Sequence, residues 1–102
     1  MTKLYALINK MAVKPGKRDD VINILIESGK AFDDNPSCIL YLIYKDKKDP
    51  NVIWIEDVWT SKDNHAAAMS TPQMRAYIDE SLPLLVKMPE QIEIVFAGGK
   101  GL

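Results

Sequence analysis

The chain has 102 residues, of which 47% are hydrophobic and 26% charged, and its formal net charge is −1. This profile is that of one globular domain spanning residues 1–102, with no room for a second. The scattered Lys and Arg residues argue against nucleic acid as a partner. No apolar run approaches the roughly 18 residues of a membrane span and no signal-peptide pattern is present, so we expect a cytoplasmic protein with no membrane partner.

The inventory of reactive residues excludes several classes of site. One cysteine, Cys38, and one histidine, His65, exclude an internal disulfide and leave no convincing transition-metal site. The sequence also lacks a glycine-rich phosphate loop, a G-x-S-x-G elbow and an H-E-x-x-H motif. We therefore expect no metal and no flavin or nicotinamide cofactor.

Four runs rich in Val, Ile, Leu and aromatic residues predict β-strands. These runs are Leu4–Val13, Cys38–Lys45, Val52–Trp59 and Gln91–Ala97. Between the first two, apolar residues at three- and four-residue spacing predict an amphipathic helix that begins near Pro15. Its apolar face holds Val21, Ile22, Leu25, Ile26 and Gly29. A polar segment with Pro50 predicts a hairpin between the second and third strands.

Two helical segments separate the third and fourth strands. Thr60 or Ser61 can cap the first, and Thr71-Pro72 begins the second. The apolar face of the second holds Met74, Tyr77, Ile78, Leu82 and Leu85, with Pro83 and Pro89 ending it. The resulting order β-α-β-β-α-β predicts an α+β, ferredoxin-like fold with a four-stranded antiparallel sheet.

The predicted strands are apolar on both faces. In the second strand, strict alternation places one set of mostly apolar residues on one face of the sheet and a second set on the other face. The first set is Ile39, Tyr41 and Ile43, and the second is Cys38, Leu40, Leu42 and Tyr44. Two helices cover only one face of such a sheet, and the uncovered face would be a large exposed apolar patch. We therefore predict a homodimer that packs sheet against sheet.

A candidate pocket lies where the third strand leads into the short helix. His65 has the near-neutral pKa of a general base, although an exposed or capping role fits its position equally. Trp59 ends the strand and suits either a ligand wall or the core. Asn9 interrupts an apolar strand face, so its amide needs hydrogen bonds from the protein or from a ligand. Asp57 shares the face of Trp59, and an ion pair with Lys or Arg is its simplest expected partner.

Three further residues are candidates for the lining of a cavity beneath the helices. These residues are Met69, Met74 and Tyr77. A stripe of Met and aromatic side chains at this spacing is also typical of a core.

Along nearly its whole length the chain resembles the antibiotic biosynthesis monooxygenase domain family, small dimeric α+β barrel proteins that include cofactor-independent quinol monooxygenases. The resemblance is carried by the Asn9 strand followed by Val13-Lys14-Pro15-Gly16-Lys17, by Ile55-Glu56-Asp57-Val58-Trp59, by Ser61-Lys62-Asp63 and by Ala66 to Pro72. Members often have a histidine about nine residues after the tryptophan, where this chain has Ala68, and another at the place of Gln73. His65 stands one helical turn before Ala68.

The resemblance implies a homodimeric monooxygenase that acts on a small aromatic hydroquinone or phenol with molecular oxygen and no cofactor. In that hypothesis Asn9 anchors the substrate or the oxygen intermediate, Trp59 forms cavity wall, and His65 is the base, with Asp57, Met69, Met74 and Tyr77 around the substrate. Two alternatives stay open from the residues: a proton-transfer enzyme, such as an isomerase, acting on a small carbonyl compound, and a non-enzymatic ligand-binding or stress dimer.

Overall fold

The structure, a computed structural model, describes residues 4–101. Its strands are β1 (Tyr5–Ala12), β2 (Cys38–Lys45), β3 (Val52–Trp59) and β4 (Glu90–Ile94), and its helices are α1 (Arg18–Gly29), α2 (Lys62–Met69) and α3 (Pro72–Ser81). The strands pair antiparallel in the order β2-β3-β1-β4. This arrangement confirms the α+β, ferredoxin-like prediction. Within residues 4–101, every helix is too short or too polar to span a bilayer.

The first helix begins later than the sequence suggests. Gly16 adopts a φ of 78°, in the left-handed region that favours glycine, and helix α1 starts only at Arg18. The guanidinium of Arg18 donates to the carbonyl oxygens of Asp46 and Asp49 at 3.1 and 2.9 Å. The prediction of a start near Pro15 was therefore wrong by three residues, because the glycine turn separates the proline from the helix.

Side-chain caps fix the starts of α2 and α3. The Ser61 hydroxyl accepts a hydrogen bond from the backbone N–H of Asn64 at 3.1 Å. The Thr71 hydroxyl accepts one from the backbone N–H of Met74 at 3.2 Å, and Pro72 follows as the first helical residue. The caps expected from the sequence are thus present, with Ser61 rather than Thr60 at the first.

The alternation predicted for β2 fails at its first residues. The pairing of β2 with β3 matches Cys38 to Trp59 and Leu40 to Val58, so the register shifts at Ile39. This irregularity adds one residue to β2, and it brings Cys38 to the face that carries Trp59 and Tyr41. From Leu40 onward the predicted alternation holds.

The fourth strand ends earlier than predicted. Its last pair is Ile94 with Ala6, and β1 begins one residue before Ala6, at Tyr5. Val95 and Phe96 lie beyond the strand, with 85% and 42% of their surface exposed.

The helices cover one face of the sheet and enclose two buried apolar clusters. One is centred on Val13, Val21 and Ile53, and the other joins Trp59 to Phe32 and Met74. The opposite face, which we call the outer face, carries Leu42, Tyr44 and Ile92, whose surfaces are 41, 44 and 51% exposed in the single chain. The chain thus has one helix-covered face, where a site can be enclosed, and one open apolar face.

Candidate functional site

A cavity of about 400 Å³ lies between the helix-covered face of the sheet and the three helices. This volume falls in the usual range for small-molecule sites. Apolar side chains dominate the lining. The polar side chains on it are Asn9, Ser28, Tyr41, Asp57, His65, Tyr77, Ser81 and Gln91. Met88 and Gln91 are exposed and mark the side on which the cavity opens.

Asp57 is the hydrogen-bonding centre of the cavity floor. Its side chain is almost fully buried, and its two oxygens accept separate hydrogen bonds. The Asn9 amide donates to Oδ1 at 3.1 Å, and the Trp59 indole N–H donates to Oδ2 at 2.7 Å. Asn9 reaches Asp57 from β1, whereas Trp59 lies two residues along β3 on the same face.

The partners of Asp57 correct one expectation from the sequence. Within residues 4–101, no Lys or Arg side chain forms an ion pair with it. The nearest basic group is His65, whose Nε2 lies 3.8 Å from Asp57 Oδ2. Two neutral N–H donors take the place of the expected cation, because the pairing of β1 with β3 brings the Asn9 amide to the carboxylate and Trp59 follows two residues later on the same face of β3.

His65 stands in the first part of α2 with its ring turned toward the cavity. Its side chain is only 14% exposed, and it packs against the rings of Tyr5 and Trp59, each with a centroid distance of 5.3 Å. Capping of α2 is done by Ser61, not by His65. The imidazole is therefore available to a molecule in the cavity.

Burial shifts the pKa values of both ionisable groups toward their neutral forms. Burial raises the pKa of Asp57, and the hydrogen bonds from Trp59 and Asn9 counteract part of that rise. Burial lowers the pKa of His65. A neutral imidazole is the form that can accept a proton, so the environment of His65 suits a general base.

Trp59 and Asn9 occupy different layers of this site. Trp59 is fully buried and packs edge-on against Phe32, with a centroid distance of 5.1 Å, so its indole lies behind the cavity lining. Its N–H orients Asp57, which does line the cavity. Asn9 lines the cavity directly while its amide nitrogen is held by Asp57.

Met69, Met74 and Tyr77 all line the cavity. Met74 is also part of the buried cluster with Trp59 and Phe32, so it serves as both core and wall. Met69 and Tyr77 are only partly buried.

Two polar residues on the cavity floor escaped the sequence analysis. Tyr41 of β2 pairs across the sheet with Asp57, and Gln91 of β4 pairs with Asn9. Tyr41, Asp57, Asn9 and Gln91 thus form a polar diagonal with one residue from each strand. The face of Tyr41 was readable from alternation, but its position beside Asp57 depends on strand order and register.

The arrangement supplies a base, its countercharge and hydrogen-bonding groups in a mostly apolar enclosure. A proton taken up by His65 would create an imidazolium close to the Asp57 carboxylate, which stabilises it. Within the described residues 4–101, no group of three or more His, Cys, Asp or Glu side chains is placed to hold a metal ion.

Comparison with known proteins places the chain in a family. The family model described as antibiotic biosynthesis monooxygenase matches residues 4–80. A solved structure from Chloroflexus aurantiacus, named for the antibiotic biosynthesis monooxygenases, is 40% identical, with a TM-score of 0.83 over 96% of this chain and 97% of that one.

Two more distant relatives share the fold or part of the sequence. A Nitrosomonas europaea structure with a similar name is 14% identical, and its TM-score of 0.88, over 99% of this chain and 97% of that one, shows the same fold. An uncharacterised Synechocystis protein is 28% identical over 80% of this chain, which spans 55% of that relative's length. The match over residues 4–80 and the 40% identity to the Chloroflexus protein lead to one conclusion: the chain belongs to the antibiotic biosynthesis monooxygenase family.

Proposed function

We propose that this protein is a cofactor-independent monooxygenase that acts on a small aromatic hydroquinone or phenol with molecular oxygen. The observation that carries the proposal is the neutral His65 imidazole beside the buried Asp57 carboxylate at the wall of an apolar cavity. Family membership supports oxygen chemistry, and the cavity volume suits a one-ring or two-ring aromatic compound.

His65 starts the proposed reaction by accepting the proton of a substrate hydroxyl. The resulting anion is electron-rich and passes one electron to oxygen, which gives a substrate radical and superoxide. Their recombination forms a carbon–oxygen bond at the ring and leaves a peroxide. Asp57 stabilises the imidazolium while this happens, and Asn9, held by Asp57, lies where it can bond the peroxide or the substrate oxygen.

The reaction balances without an external reductant. The imidazolium returns its proton to the peroxide, the oxygen–oxygen bond breaks, and the outer oxygen leaves as water together with the hydrogen of the ring carbon to which the peroxide is attached. The other oxygen stays on the ring carbon, so a hydroquinone and oxygen give a hydroxyquinone and water. All four electrons that reduce the oxygen come from the substrate, which is why the pocket needs only a base and an apolar enclosure.

We further propose that the working form is a homodimer whose outer faces pack together. The exposed Leu42, Tyr44 and Ile92 support this, since large apolar side chains exposed on one face of a sheet suit an interface with another subunit. The outer face also carries paired polar groups, with the Tyr44 hydroxyl donating to Glu56 at 2.8 Å.

An oxygen electrode tests the enzymatic proposal directly. Purified protein is mixed with a panel of hydroquinones and phenols in air, and oxygen uptake is followed together with the appearance of hydroxyquinone. The expected result is uptake above the buffer rate that falls strongly in the His65→Gln variant. Uptake no faster than buffer for every compound would overturn the oxygenase, and conversion that continues without oxygen would favour proton-transfer chemistry instead.

A further inference from the structure

The polar diagonal of the cavity floor contains one hydroxyl that the proposed reaction does not use. Tyr41 lines the cavity from β2, next to Asp57 on the neighbouring strand. Side chains paired across antiparallel strands have Cβ atoms about 5 Å apart, so a molecule that reaches Asp57 also comes within reach of Tyr41.

The Tyr41 ring is held in a fixed position by its neighbours. It packs edge-on against Phe32 with a centroid distance of 5.0 Å. On its other side lies Gly29, where a Cβ atom would come within 2.9 Å of Tyr41 Cε2. The φ of Gly29 is −65°, an ordinary helical value, so the turn itself doesn't require glycine there. The missing side chain instead allows the Tyr41 ring to lie against α1.

The Tyr41 hydroxyl is available to a ligand. It forms no side-chain hydrogen bond within the geometric limits among residues 4–101. Every fully buried side-chain oxygen or nitrogen in that part of the chain has a partner, so the Tyr41 oxygen must be partly exposed rather than sealed in the core. Ser28, a cavity residue, is close enough to influence this hydroxyl, and the Ser28 hydroxyl itself donates to the carbonyl of Leu25 at 3.0 Å.

The protonation state of Tyr41 makes it a donor. Burial, and then the charge of Asp57, raise the pKa of Tyr41, while Ser28 offsets a small part of the rise. The hydroxyl therefore keeps its proton at neutral pH and can donate it to an acceptor in the cavity.

We propose that Tyr41 is the second polar anchor of the cavity, donating a hydrogen bond to an oxygen of the substrate that is distinct from the hydroxyl deprotonated by His65. The site accordingly favours aromatic compounds with two oxygen functions over simple phenols. This specificity rests on the proposed function, because His65 defines the first oxygen. Gly29 acts as a positioning residue that sets where the Tyr41 hydroxyl lies.

Binding of two matched phenols tests the anchor without any turnover. 4-Hydroxyacetophenone carries a second oxygen, and 4-isopropylphenol has nearly the same shape without it. Calorimetric titration gives the ratio of their dissociation constants for the wild type and for Tyr41→Phe. One neutral hydrogen bond corresponds to roughly three- to tenfold in affinity, so we expect the ratio to favour the ketone and to fall by that factor in Tyr41→Phe.

Matched variants separate the anchor from general effects of mutation. Tyr44→Phe removes a hydroxyl from the same strand on the outer face and should keep the wild-type ratio. Gly29→Ala should lower the ratio by displacing the Tyr41 ring, and it decides the question if Tyr41→Phe doesn't fold. A wild-type ratio in a folded Tyr41→Phe, or a wild type that binds neither phenol, overturns the inference. Failure of the oxygenase would appear in the oxygen electrode and would leave this ratio unchanged.

Discussion

Asp57 Oδ2 lies 3.8 Å from His65 Nε2, too far for a hydrogen bond but close enough for the carboxylate to attract the imidazole once it is protonated. The Trp59 indole occupies the same oxygen at 2.7 Å, and the Asn9 amide occupies the other. The carboxylate is therefore fixed by two neutral donors, and neither of its hydrogen bonds involves the imidazole. This division of roles explains why a tryptophan that does not reach the cavity can still matter to its chemistry.

Replacement of Asp57 by Asn tests the countercharge. The amide keeps the volume but removes the negative charge, and its NH₂ group would face one of the two N–H donors. We expect oxygen uptake with the best hydroquinone to fall at least roughly tenfold, because the imidazolium loses its stabilising partner. The adjacent Glu56→Gln is the control, since Glu56 lies on the outer face and should keep wild-type activity. Equal losses in the two variants would contradict the assigned role.

The pH dependence of activity follows from the lowered pKa of His65. The base must be neutral, and burial lowers the pKa of His65 below its ordinary value of 6.5. We therefore expect kcat/KM to be level above about pH 6.5 and to fall only at more acid pH, where the imidazole becomes charged. The measurement is initial oxygen uptake across pH 4.5–8 at low substrate concentration, chosen as roughly the range around the titration of histidine. Asp63→Asn, an exposed change on the same helix, should leave the profile unchanged, whereas an acid limb centred above pH 6.5 would contradict the prediction.

The sequence was sufficient to predict the fold, but it predicted only part of the candidate site. Apolar alternation and helical spacing gave the element order, because both depend on local periodicity. The Asp57–Trp59 face was readable in the same way, since the two residues lie two apart on one strand. The contact of Asn9 with Asp57 and the position of Tyr41 beside it depend on strand order and register, which local patterns don't encode. The displaced Cys38 arises from an irregularity in β2 that alternation can't reveal.

Met74 belongs both to the wall of the cavity and to the buried core, and its contribution to stability can be measured. It is 5% exposed and packs with Trp59 and Phe32, so Met74→Ala leaves a cavity in the core beside the site. We expect a loss of about 2–5 kcal/mol in the free energy of unfolding, measured by urea denaturation. Met88→Ala is the matched control, because Met88 is 71% exposed and should change stability by less than about 0.5 kcal/mol. A Met74→Ala variant as stable as the control would mean that Met74 adds nothing to the core.

The outer face gives the last prediction, which concerns assembly. Ile92 lies on the outer face of β4 and Ile26 on the surface of α1, and each is 51% exposed, so the two offer equal apolar surface in different places. If two copies pack sheet against sheet, Ile92→Glu buries an unpaired charge in the interface and shifts the protein toward monomer. Ile26→Glu should leave the oligomeric state unchanged. Sedimentation velocity at several protein concentrations measures the outcome. A wild type that stays monomeric at every concentration, or a dimer that tolerates Ile92→Glu, would show that the outer face is not where the copies meet.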